Sequence, residues 1–268
     1  MTPQLLSIPF HASILAENDA GASLASGDVR EVFPLASVTK LFTAYSALIA
    51  ISRGLVTLSA PAPYPGVTLE HLLSHASGMA MGERAITRPP GTRRIYSNAG
   101  IEAAADMLEE ATGTEIGRWI EETIAEPLGL TSLTVEGSPA YSGYAHAEDL
   151  MLFARELSHP TLISAEFLDL ATSVHFPHLD GIVPGYGNFR PCPWGIGAEI
   201  KGDKQAHWTA PSSSGKTFGH FGQSGSFLWV DPLSGERAVF LGEEPFGPWH
   251  RDNWSALNEE ILHAMRGQ

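Results

Sequence analysis

The sequence predicts an α+β protein, with an antiparallel sheet built from both chain ends with flanking helices, and a mainly helical lobe from the middle. Three observations predict this. Short extended stretches punctuated by turn residues occupy residues 8–35. Similar stretches return after residue 194. Helix-periodic apolar patterns fill the interval between them. Strands separated by a helical insert pair most simply into one sheet, with the insert as a second lobe. The expected boundaries are 1–60 and 190–268 for the sheet lobe and 61–189 for the helical lobe, together forming one unit.

The first extended stretches are HASILAE, GASLASG and REVFPLA. Asn18-Asp19 with Gly21, and Gly27-Asp28, supply turns, so these stretches read as a small antiparallel meander. Val38, Leu41, Phe42, Tyr45, Leu48 and Ile49 then follow helical spacing, with Gly54 placed as a C′ glycine. PAPYPG at 61–66 breaks the chain. A short helix is expected at 69–74, and longer ones at 98–112, at 114–125 (stopping before Pro127), at 147–158 and at 164–172. Residues 177–193 are rich in Pro and Gly and read as a long loop. WGIGAEI, KTFGHFG, SFLWVDP and RAVFLGE read as strands, and a last helix covers 252–265. There are no internal repeats.

Of the 268 residues, 43% are hydrophobic, and 27 Gly and 19 Pro are spread along the chain, as in a folded soluble protein. The net charge of −14 disfavours nucleic acid and anionic membranes as partners. The single cysteine, Cys192, permits no intrachain disulfide and reads as a structural thiol. No Lys or Arg precedes Arg30 and no apolar h-region follows Met1, so no signal peptide is expected. With Met1 as the native start, the expected location is cytoplasmic. No stretch reaches the roughly 18 apolar residues of a membrane span.

Ser37-Val38-Thr39-Lys40 puts a serine at the start of the first helix and a lysine at i+3, on the same face. A helix N-terminus adds positive potential where an oxyanion would form. Serine is a weak nucleophile until a neighbour takes its proton, and Lys40 can take it if desolvation or nearby cations keep it neutral. The spacing alone fits a helix cap and a surface charge equally well, and Ser213-Ser214-Gly215-Lys216 repeats it in a loop. Tyr96-Ser97-Asn98 adds a candidate proton relay in Tyr96. In Asn98 it adds an amide that could bind substrate and help hold Lys40. Tyr186-Gly187-Asn188 repeats this pattern too, but only Tyr96 precedes a well-formed helix. His220-Phe221-Gly222-Gln223 lies on an expected strand. There Gly222 would let substrate approach the backbone. The N–H of Gln223, with that of Ser37, would bind an oxyanion. His220 would steer or polarise substrate, unless it is simply a hydrogen-bonded strand histidine.

Taken together, these residues resemble the serine β-lactamase and penicillin-binding-protein superfamily, in its class C-like branch, which also includes D-alanyl-D-alanine peptidases and carboxylesterases. FPLASVTKLFTA is similar to the nucleophile segment, and VTLEHLLSHASGM to the stretch after its helix. GTRRIYSNAGIEAAADMLEEATG is similar to the Tyr-x-Asn segment, IAEPLGLTSL to a helical-lobe stretch and GHFGQSGSFLWVDP to the third-motif strand. The resemblance covers nearly the whole chain. It implies a β-lactamase/transpeptidase-like fold and an acyl-enzyme on Ser37, without cofactor or metal. It also implies proton shuttling by Lys40 and Tyr96, substrate contacts from Asn98 and His220 to Gln223, and an oxyanion hole at the N–H groups of Ser37 and Gln223. Two departures stand out. His220-Phe221-Gly222 stands where the β-lactamases have Lys-Thr-Gly, which replaces a permanent charge and removes a hydroxyl. The expected export signal is missing. Both favour an esterase or amidase acting on a small molecule, with a D-alanyl-D-alanine carboxypeptidase or weak β-lactamase as the alternative.

Other readings have less support. Ala210–Thr217 comes near a phosphate-binding loop but lacks the strand before it and the helix after it, which leaves a nucleotide-binding protein as a remote alternative. His71 and His75 lack the zinc-peptidase pattern and a third ligand. G-x-S-x-G is absent. A catalytically inactive protein on this fold remains the other alternative.

Overall fold

Period-two alternation sends the side chains of β1, Ala12–Asn18, to opposite faces. Ile14 and Ala16 enter one apolar core while Leu15 packs against another. The computed structural model describes residues 7–267. Residues 1–6, part of the segment read for an export signal, lie outside the described residues.

The main sheet has six strands in the order β2-β1-β11-β10-β9-β8. They are β2 Ser23–Ser26, β8 Glu199–Ile200, β9 Phe218–Gly222, β10 Ser226–Asp231 and β11 Glu236–Gly242, with β1. Both chain ends therefore meet in one antiparallel sheet, as expected. β10 and β11 are buried along their whole length, which explains why they read as continuous apolar runs. Register places Phe227 opposite both Phe221 and Phe240. On that face lies the last helix, α8 Pro248–Arg266, which brings in Trp254, Leu257, Ile261, Leu262 and Met265 at helical spacing. It starts earlier than expected because Pro248 occupies the first turn, where a missing N–H costs nothing. The opposite face contributes Leu228, Val230, Val239 and Leu241 to the larger core, which continues into the helices.

The expected meander is only a hairpin. β3, Val32–Pro34, leaves the main sheet and pairs with β5, Gly143–His146, which also pairs with β4, Thr134–Val135. Helix α1, Thr39–Ser52, is buried on all sides from Thr39 to Ala50, so it is a central strut rather than an amphipathic cover. Its end is a Schellman motif: Leu55 N–H donates to Ala50 and Gly54 N–H to Ile51, with Gly54 at φ +72. α2, Leu69–Leu73, carries a Thr68–His71 capping box. α3, Asn98–Thr112, is capped by Ser97, whose hydroxyl accepts from Gly100 N–H. The next helix does not stop before Pro127. α4, Ile116–Ile120, passes through a π turn, Glu121–Ala125, into α5, Glu126–Leu128. The wider turn sits where Pro127 cannot donate to an α ladder. α6, Ala147–Glu156, and α7, Ala165–Thr172, match the expected helices. The 177–193 stretch contains a two-stranded hairpin, β6 Gly181–Val183 and β7 Gly187–Phe189, that its Gly and Pro content concealed.

Two buried charges anchor these connections. Arg94 donates to the carbonyls of Cys192, Ser74, His175 and Phe176, fixing the ends of the 177–193 stretch. Glu199 accepts from Lys204 at 3.0 Å, His207 at 3.1 Å and the Trp208 indole at 2.8 Å. Burial pushes the Glu199 carboxyl up, but the Lys204 and His207 charges and the hydrogen bonds override it and hold the group well below the ordinary range. Glu199→Ala leaves Lys204 buried without its counter-ion and should cost about 3–5 kcal/mol in denaturant unfolding. Because the folded pKa is depressed, this contribution is present above the unfolded value near 4.3 and lost as pH falls through the folded one. Urea midpoints measured from pH 7 downwards should therefore converge for wild type and variant only in strong acid.

Candidate active site

Residues 35–38 form a tight turn between β3 and α1. Ser37 sits in a 3-10 turn, Ala36–Val38, so it precedes the α-helix rather than opening it. Ala36 has φ +44, a strained value for a residue with a Cβ. Three bonds hold the turn: Val38 N–H to Leu35 O at 3.2 Å, Thr39 Oγ1 to Ala36 O at 2.6 Å and Ser226 Oγ to Leu35 O at 2.8 Å. Gly222 also has a structural task here. A Cβ on it would lie 2.3 Å from Leu35 O and 2.4 Å from Ser226 Oγ. Its missing side chain admits the serine turn.

Lys40 is fully buried, and its Nζ lies 3.0 Å from Ser37 Oγ and donates to Ala140 O at 2.7 Å. Tyr96, just before the α3 cap, donates its hydroxyl to Ser37 Oγ at 2.6 Å. Its ring centroid lies 4.8 Å from Lys40 Nζ. Burial drives the Lys40 amine well below its ordinary value, partly opposed by the charge of Glu102. Burial raises the Tyr96 phenol instead, despite its bond to Ser37. At neutral pH the pair is therefore poised as a depressed amine and an intact phenol.

Glu102 was not singled out in the sequence. It lies four residues after Asn98 on α3, so the two share a helix face. It accepts from Ser138 Oγ at 2.5 Å, and Ser138 Oγ accepts from Ala140 N–H at 3.2 Å. Ala140 then presents its carbonyl to Lys40. Thr43 Oγ1 donating to Pro139 O, and Gly143 N–H donating to Thr39 Oγ1, tie the same turn to α1. No sequence signal pointed to this chain of contacts, because Ser138 and Ala140 lie about 100 residues from Lys40.

A cavity of about 340 Å³ opens onto Ser37. Its wall is mainly apolar and includes Val183, Pro184, Trp194 and Phe221, with Met81 and Tyr141 exposed at its mouth. Asn98, His220, Phe221 and Gln223 all line it. Asn98 Oδ1 is buried without a partner, and the hydrogen bonds of Lys40 go to Ser37 and Ala140, not to Asn98 as expected. The His220 imidazole donates from Nδ1 to Phe221 O at 2.7 Å, which leaves Nε2 as a buried acceptor. Burial, then the Lys40 charge, pushes it down to about 3, so the ring is neutral. His75, buried beside Tyr96, is lowered for the same reasons. Among the described residues, the wall of this cavity contains no charged side chain.

The other candidates lie elsewhere. Ser213 Oγ donates to Ala210 O and accepts from Lys201, inside a structural loop. The Tyr186 ring stands edge-on behind Phe221. His71 caps α2 and stacks on Phe176. Cys192 is buried and its thiol pushed up to about 11. Among the described residues, no cluster of three His, Cys, Asp or Glu could hold a metal ion, and no helix is long and apolar enough to cross a membrane.

The beta-lactamase family model matches residues 17–257. The crystal structure of a beta-lactamase from Mycobacterium bovis is 42% identical and superposes with a TM-score of 0.93, covering 96% of each chain. Monacolin J acid methylbutanoyltransferase of Aspergillus terreus is 30% identical over 153 residues, 37% of this chain and 37% of that protein. The D-alanyl-D-alanine-carboxypeptidase/endopeptidase AmpH of Escherichia coli K12 is 29% identical over 145 residues, 40% of this chain and 38% of that protein. The chain thus spans well under half the length of these two curated relatives.

The Glu102 charge raises the Lys40 amine, so Glu102→Gln should lower it further. The pH at which Ser37 reacts half-maximally with a fluorophosphonate should then move to lower pH. An unchanged midpoint would show that the carboxylate does not act on Lys40.

Proposed function

Because the chain belongs to the beta-lactamase family, we propose that it is a serine hydrolase that cleaves a small ester through an acyl-enzyme on Ser37. One observation carries this reading: Ser37 Oγ is shared by a buried lysine and a tyrosine hydroxyl at the floor of an apolar cavity.

Each step follows from those contacts. The lone pair of neutral Lys40 takes the Ser37 proton as Oγ bonds to the substrate carbonyl carbon. The carbonyl oxygen becomes an oxyanion, which the N–H groups of Ser37 and Gln223 would stabilise. The C–O bond to the leaving alcohol then breaks, and the alkoxide takes the Tyr96 proton, which Lys40 replaces. Water attacks the acyl ester, gives a proton back to the Lys40–Tyr96 pair, and Ser37 departs as the hydroxyl.

An ester fits better than a peptide or β-lactam that carries a carboxylate next to the scissile bond. His220 and Phe221 offer that carboxylate neither a fixed charge nor a hydroxyl, and the cavity wall supplies no other cation. An apolar wall suits an uncharged acyl group.

The reading predicts that p-nitrophenyl butyrate is hydrolysed and that Ser37→Ala abolishes turnover. Lys40→Ala and Tyr96→Phe should each cost on the order of 10²-fold or more in kcat. Ordinary turnover by Ser37→Ala would overturn the assignment. Intact-mass analysis separates the substrate classes. A fluorophosphonate adduct without a penicilloyl adduct supports the esterase, whereas a stable penicilloyl adduct would favour a peptidase-like site.

A further inference from the structure

A second cavity of about 300 Å³ adjoins the first. The two share Met81, Tyr96 and Pro184, so these side chains form the boundary between them, and together the cavities make a groove along Tyr96. Ile95 and Ile182 extend its apolar wall, and Arg93 also lines it.

The direction of the reaction decides which part of a substrate enters this groove. With Ser37 in its proposed role, the leaving oxygen must receive a proton from Tyr96, so it lies on the Tyr96 side of Ser37. Tyr96 lines both cavities, whereas Gln223 lines the first and not the second. The leaving alcohol therefore extends along it, towards Arg93.

Arg93 and Arg94 are neighbours with opposite uses. The Arg94 guanidinium is consumed by four carbonyl contacts. Arg93 makes one side-chain bond, from Nη2 to Asn188 Oδ1 at 3.2 Å, and no acidic side chain pairs with it among the described residues. This matters in a molecule of net charge −14, where an anion approaches only if a local cation offsets the field. A guanidinium presents several donors in a plane, which suits a carboxylate or a similar oxyanion.

We infer that the groove is a leaving-group subsite and that Arg93 recognises an anionic end on the alcohol, several bonds away from the scissile ester. The preferred substrate class is then an ester with an uncharged acyl group and a carboxylate-bearing alcohol. The cation lost from the strand at His220 is replaced by one further out, where it reads the leaving group rather than the atoms beside the carbonyl.

The test compares 4-(butyryloxy)phenylacetate with its neutral isostere 4-(butyryloxy)phenylacetamide, using the full chain. The two share the acyl group and the bond broken. Wild type should favour the anion in kcat/KM on the order of 10-fold, mainly through KM, with the preference shrinking as salt is added. Arg93→Gln should bring the ratio of the two substrates close to one, and Arg93→Lys should retain part of it. Equal kcat/KM for both esters in wild type, or a ratio unchanged by Arg93→Gln, would overturn the subsite while leaving the hydrolase intact. Failure of wild type to cleave either ester would overturn the role of Ser37, and the subsite with it.

Discussion

The burial of Lys40 is the constraint on which the site depends. A lysine with no exposed surface is held in a helix that is itself enclosed on every side. Desolvation disfavours its charge by several kcal/mol, and only partial compensation is built around it. One carbonyl accepts from it, and the Glu102 carboxylate acts at a distance through Ser138. That balance is what the proposed mechanism requires of a primary amine serving as a base near neutral pH. A full counter-ion in contact would keep the amine protonated, and with no compensation at all its pKa would fall further still.

Much of the remaining architecture follows from enclosing that lysine while leaving Ser37 reachable. The 138–143 turn crosses α1 to cap it with Ala140, and is held there by Thr39 and Thr43. The sheet approaches from the other side, where Gly222 lets the strand touch the Leu35 carbonyl and Ser226 clamps it. The strained Ala36 is then fixed between strand and helix, which points Ser37 into the cavity. Arg94 performs the equivalent task for the far wall, tying down the segment that supplies Val183 and Pro184.

The sequence revealed the parts of this plan that are periodic or local. The apolar spacing of α1, the helix start that follows Tyr96, and the apolar runs of β10 and β11 were all readable in order. What escaped reading depends on distant contacts. β3 changes sheets because its partner, β5, is 110 residues later in the chain. Glu102 and Ala140 matter only through contacts that no spacing rule reports. Gly222 was legible as a close approach, but which backbone came close was not. The buried Glu199–Lys204–His207 group was not read at all, because the sequence does not show that the segment after β8 folds back over Glu199.

The account turns on the protonation of Lys40 in the resting protein. The chain contains four lysines, Lys40, Lys201, Lys204 and Lys216, so a lysine-selective heteronuclear NMR titration resolves each side chain. The Lys40 signal should be identified by its loss in Lys40→Met. It should titrate well below the ordinary lysine value near 10.4, so that a substantial neutral fraction exists at neutral pH. A Lys40 signal that stays protonated up to the ordinary lysine range would contradict the mechanism, since the buried amine could not then take the proton of Ser37.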